Sequence, residues 1–74
     1  MPARIIRLIY PPTLVHEPIL YRLIKRFNVQ VNIRQAQISL EEGWLEVELS
    51  GESTELELAV SFLAEHGIEI ISTD

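Results

Sequence analysis

His16 and Glu17 stand side by side ahead of a proline, His66 stands before a glycine, and Glu46, Glu48 and Glu52 recur at short intervals. Acid–base or nucleophilic catalysis needs a base within hydrogen-bond reach of the group it serves, and a third group to orient that base. The two histidines lie far apart in the sequence, and no serine has a convincing base and orienter. His66 reads as the end of a helix, where a ring that can carry charge gains from the helix dipole without any catalytic role. Two histidines and no cysteine leave no metal-ligand spacing. Glutamates that alternate along a strand serve solubility more often than cation binding. The three glycines are isolated, so there is no phosphate-cradling loop and no means of hydrolysing ATP. No catalytic residue, metal or cofactor is expected.

Asn32 is the polar residue that stands out. It sits between Gln30 and Arg34 in an alternating stretch. A short amide offers a donor and an acceptor to an amino-acid ligand, and the Arg34 guanidinium is able to pair with a carboxylate. On the residues alone the favoured reading is that Asn32 bonds neighbouring backbone and steadies an irregular strand. Both readings stay open.

The elements that must position these residues follow from apolar period. Ala3 to Tyr10 alternates as a strand, with Ile6, Leu8 and Tyr10 on one side and Ile5, Arg7 and Ile9 on the other. Pro11-Pro12 stops it. After a loop over Thr13 to Glu17, Pro18 suits a first helical turn, and Ile19, Leu20, Leu23, Ile24 and Phe27 form an apolar stripe. Asn28 is expected to close that helix in the left-handed conformation. A second strand spans Val29 to Leu40, and its apolar parity changes from Val31 and Ile33 to Ala36, Ile38 and Leu40. A one-residue bulge near Arg34-Gln35 reconciles the two sets. Glu41-Glu42-Gly43 makes a hairpin, with Gly43 free to take a positive φ. Leu45, Val47 and Leu49 mark the third strand. Ser53 or Thr54 caps a second helix with Leu56, Ala59, Val60 and Leu63 inward, widened by Leu58 and Phe62. His66-Gly67 ends it, and Ile68 to Ser72 is the last strand. The order βαββαβ gives two right-handed crossovers joined by a hairpin. This is an α+β ferredoxin-like sandwich, a four-stranded antiparallel sheet with two helices on one face.

Residues 1–74 are expected to form one domain, small enough that every apolar stripe must be used. The net charge of −5 argues against a nucleic-acid partner, although four of the six cations fall between Arg22 and Arg34. No apolar run approaches the roughly 20 residues of a membrane span, and no signal-peptide core is present. A soluble, cytoplasmic protein is expected. With Leu8, Val31, Val47 and Ile70 under the helices, the open face of the sheet carries Ile5, Ile9, Trp44 and Ile71 among Arg7, Asn32, Glu46, Glu48 and Glu69. So apolar a face is expected to be an interface with a second copy or a partner, and a homodimer or higher oligomer is expected through this face or an edge strand. Scattered surface hydrophobes are the alternative.

Phe27-Asn28-Val29, then Asn32-Ile33 and Ala36-Gln37, resembles the NIL domain, the small ligand-sensing module at the C-terminus of methionine-importer ATPase subunits. The resemblance runs from about Arg7 to about Ile71. The family's Asn-Ile-Leu signature ends here in Arg34, a cation where the family has an aliphatic side chain. The resemblance implies pairing across subunits, with an amino acid such as methionine held near the pairing surface at Asn32 and Arg34. It also implies control of a transporter or another partner, here by a free-standing module acting in trans. An interaction adaptor with no small ligand remains open. The fold alone also admits an ACT domain. An acylphosphatase would need an arginine in a glycine-containing cradle, which Tyr10 to Val15 lacks.

Overall fold

In the computed structural model, which describes residues 2–72, the strict alternation of the first and third sequence runs becomes the centre of a sheet. The elements are β1 (Ala3–Tyr10), a short 3-10 turn (Pro12–Leu14), α1 (Ile19–Arg26), β2 (Gln30–Ile38), β3 (Gly43–Ser50), α2 (Ser53–Glu65) and β4 (Glu69–Ser72). The strands lie in the order β2-β3-β1-β4, all antiparallel to their neighbours. This is the ferredoxin-like βαββαβ arrangement. Ile6, Leu8, Leu45, Val47 and Leu49 face the helices and meet Ile19 and Leu23 of α1 and Leu56, Ala59, Phe62 and Leu63 of α2 in one core. Full burial of each large aliphatic side chain is worth about 1.5–3 kcal/mol.

The bulge lies where the parity change requires it. Ile33 pairs with Val47 and Gln35 pairs with Glu46, so Arg34 is the extra residue and Ile33 and Ala36 keep the same side. Burial is another matter, because β2 is an edge strand and most of it is exposed. A nine-residue strand is about 30 Å long, whereas the eight residues of α1 span only about 12 Å. The helix covers the start of the strand and leaves Ile33 and Ile38 bare.

Several local expectations are corrected. No non-glycine residue among those described has a positive φ, so Asn28 is not a left-handed cap. The chain leaves α1 in extended conformation at Phe27, whose N–H still donates to the Leu23 carbonyl (2.9 Å). The Asn28 N–H donates instead to Glu55 Oε1 at 2.8 Å, so α2 supplies the acceptor a left-handed turn would have sought within α1. Gly43 has no positive φ either and opens β3. The hairpin is held by Ser39, whose hydroxyl accepts from the N–H groups of Glu41 and Glu42 and donates to the Glu42 carbonyl. Pro18 is the residue before α1, and Glu52 the residue before α2, neither giving a side-chain cap. Ser53 is already helical. In α2, Phe62 is core, Val60 packs at its margin and Leu58 is exposed, while in α1 Ile24 turns outward.

The end of α2 agrees with expectation. Gly67, at φ 92°, donates to the Ala64 carbonyl, and Ile68 donates to that of Leu63, the paired bonds of a Schellman motif. Gly51 has a different constraint: a Cβ there would lie 2.9 Å from the Asn28 carbonyl oxygen. Gly51→Ala is therefore expected to cost about 1–3 kcal/mol, read as a lowered urea midpoint at unchanged slope.

Candidate functional site

The two faces of the sheet carry two distinct sets of groups, and β2 lies at the border of both. On the open face, register alone sets Arg7 opposite Glu46, Ile9 opposite Trp44, and Ile5 and Asn32 on either side of Glu48. Glu46 is the hub. Its carboxylate takes Arg7 Nη2 at 3.4 Å and Arg34 Nε at 3.8 Å, and its side chain is only 14% exposed. Arg34 reaches it because the bulge turns both Arg34 and Gln35 towards the same β3 residue. The Arg7 guanidinium lies over the Trp44 ring at 4.4 Å, an attractive cation–π geometry. Its Nε is buried without an acceptor. Ile5, Ile9 and Trp44 are half-buried by their neighbours on the face, and Ile71 is exposed.

Asn32 and Arg34 both lie on β2, but they have different company. Asn32 borders a polar hollow of ≈ 330 Å³ with Gln30, Glu48 and Ser50, while Arg34 leans on Glu46. No apolar wall lines the Asn32 hollow apart from Val31. The apolar space is on the other side of β2, a groove of ≈ 240 Å³ between the start of α1 and the β2–β3 hairpin. Ile19, Leu20, Tyr21, Ile33, Ile38 and Tyr10 are among its walls. Burial there pushes the Tyr10 hydroxyl above its ordinary pKa, since the phenolate is harder to desolvate than the phenol.

The residues that suggested acid–base chemistry are dispersed or occupied. His66 Nδ1 lies 2.9 Å from the Phe62 carbonyl and its ring leans on the Phe62 ring at 4.2 Å. Glu17 pairs with Arg22 at 3.0 Å on the surface, a contact worth little. Glu46 and Glu48 share the open face, whereas Glu52 stands at the start of α2. Among the described residues no three His, Asp or Glu side chains gather as metal ligands would, and no helix is long and apolar enough to cross a membrane.

Sequence reasoning missed the largest apolar exposure. Tyr21 (62%), Ile24 (49%), Ile33 (55%), Ile38 (62%) and Leu40 (82%) are all bare, and all belong to α1, β2 or the turn after it. The available signal was Ile33 and Ile38 on either side of a bulge in a strand followed by a hairpin, a pattern that suits an edge.

Residues 4–71 match the model of the NIL domain. The C-terminal domain of an ABC transporter ATP-binding protein from Enterococcus faecalis is similar in structure, with a TM-score of 0.82 and 25% identity over 93% of this chain and 81% of that one. Two de novo designed proteins, Ferredog-Diesel and Foldit4, share the fold at TM-scores of 0.61 and 0.58 and 16% and 13% identity. Ferredog-Diesel is covered over 85% of its length and Foldit4 over 94%, with 99% and 97% of this chain aligned. No curated protein matches the chain. The first three residues of the family pattern do structural work: Phe27 meets Phe62 edge-on at 5.5 Å, Asn28 is held by Glu55 and crowds Gly51, and Val29 is buried.

Proposed function

The chain belongs to the NIL domain family, and from that we propose a non-enzymatic, cytoplasmic regulatory module that takes an amino acid such as methionine at a subunit interface and modulates a transporter or another protein. The observation that carries this reading is the bare apolar edge of α1 and β2, on a fold matched by the C-terminal domain of a transporter ATP-binding protein. A second copy laid along β2 takes up unpaired strand N–H and C=O groups and covers Ile33, Ile38 and Tyr21 together. That pairing also bears on ligand recognition. Within one protomer, Asn32 and the apolar groove lie on opposite sides of β2, so apolar walls for a thioether beside Asn32 come from the partner copy.

Calorimetric titration of L-methionine into the wild type and Asn32→Ala tests the ligand reading. Binding by the wild type is expected, with a loss of at least about tenfold in Asn32→Ala, the loss of one or two charge-assisted hydrogen bonds. Equal binding by both proteins removes Asn32 from the site. Absence of heat at millimolar methionine leaves the second reading, an interaction adaptor with no small ligand. The engagement of Arg34 with Glu46 favours that second reading, since it occupies the cation that would otherwise receive the ligand carboxylate.

A further inference from the structure

The open face of the sheet is arranged as a small apolar centre with an acidic rim. Ile9, Trp44 and Ile71 enclose, with Arg7 and Glu42, a hollow of ≈ 200 Å³. At the centre the single Glu46 carboxylate is shared by Arg7 and Arg34, which leaves one positive charge that the three rim glutamates outweigh. The rim is not balanced. Glu42 borders the hollow, Glu48 lies opposite Ile5 and Glu69 opposite Ile9, and none of the three takes part in an ion pair among the described residues. An apolar centre within a charged rim is the anatomy of a protein-docking surface, and the sign of the rim selects what docks.

We propose that this face binds a basic amphipathic helix of a partner protein, whose apolar stripe covers Ile9, Trp44 and Ile71 while its Lys or Arg residues meet Glu42, Glu48 and Glu69. A second copy fits less well, because two-fold pairing through one face opposes like rims on a chain of net charge −5. Nucleic acid and anionic membrane are repelled by the same carboxylates. The surface is separate from the α1/β2 edge, so a paired edge leaves it accessible. Each protomer of a pair then carries one such surface on the same side of a continuous sheet.

Trp44 is the only tryptophan in the chain and stands in the proposed contact, so its emission reports occupancy directly. The probe is a synthetic Leu/Lys peptide of about fourteen residues, roughly four helical turns, with leucines on one face. Its controls are a peptide of the same composition scrambled to destroy the stripe, and a Leu/Glu version of the amphipathic peptide. The expected result is a saturable blue shift with the amphipathic Leu/Lys peptide, at least about tenfold weaker binding of the scrambled peptide, and no shift with Leu/Glu. Glu42→Gln/Glu48→Gln/Glu69→Gln, which keeps the shape of the face, is expected to weaken binding at least about tenfold and flatten its salt dependence. Equal binding of the scrambled peptide, or an unaffected triple variant, overturns the proposal. So does a Trp44 emission that depends on protein concentration without peptide, which assigns the face to a second copy. Because binding is read at Trp44, failure here is distinct from failure of the edge pairing, which is read from molecular mass.

Discussion

Leu63→Ala and Leu23→Ala are each expected to cost about 2–5 kcal/mol of folding free energy. Both side chains are wholly buried, one on each helix, and both belong to the core that joins the helices to the sheet. Truncation removes the transfer free energy of the lost methyl groups and leaves a cavity that rigid sheet neighbours fill only in part. A domain of this length has about 4–11 kcal/mol in total, so either change consumes a large fraction of it. Urea unfolding followed by far-UV circular dichroism reads the loss as a fall in midpoint. Unchanged midpoints in both variants are incompatible with the packing of α1 and α2 on the face of Ile6, Leu8, Leu45 and Val47. Leu58→Ala on the outer side of α2 is the internal control, with an expected change of about 0.5 kcal/mol or less.

The contrast between Leu63 and Leu58 shows where legibility ended. Alternation in β1 and β3 assigns their two faces without ambiguity, because a strand has only two sides and the centre of a sheet is covered along its length. The bulge at Arg34 was readable for the same reason, as the only way to keep Val31, Ile33, Ala36 and Ile38 on one side. Helix stripes are less decisive. Ile24 and Leu58 fall within a generous apolar arc, yet the actual packing angle leaves them outside it. The turns at Asn28 and Gly43 failed for another reason: their backbone is held by remote or side-chain groups, Glu55 and Ser39, that no local residue preference anticipates. The candidate site shows the same division. That Ile5, Ile9, Trp44 and Ile71 share a face follows from parity, but the exposure of Ile33 and Ile38 follows from the relative lengths of α1 and β2. Pairing of Asn32 with an apolar wall was legible in neither, since the two lie on opposite sides of the strand.

The exposed edge supplies the second large effect. Wild-type protein at micromolar concentration is expected to scatter light with at least twice the 8.5 kDa mass of one chain, and Ile33→Lys/Ile38→Lys to return it to a single chain. A stable interface takes about 800 Å² from each partner, about one sixth of the 4808 Å² that this chain exposes. The α1/β2 edge is suited to supply it: β2 ends the sheet on that side, and Tyr21, Ile33 and Ile38 are bare around the groove beside it. Natural edges are protected by lysine, proline or a bulge. Here only the bulge and Arg34 are present, and they divide the strand into two short stretches, Gln30 to Ile33 and Gln35 to Ile38, each free to pair. Two lysines on the apolar side add four charges across a two-fold interface and bury none of them in the monomer, because both positions are more than half exposed. The variant should therefore unfold at close to the wild-type midpoint at low protein concentration while losing self-association at least about a hundredfold, two charged pairs at about 1.4 kcal/mol or more each. A wild type that stays at one chain across the concentration range removes pairing altogether. A variant that still pairs moves the interface away from the β2 edge.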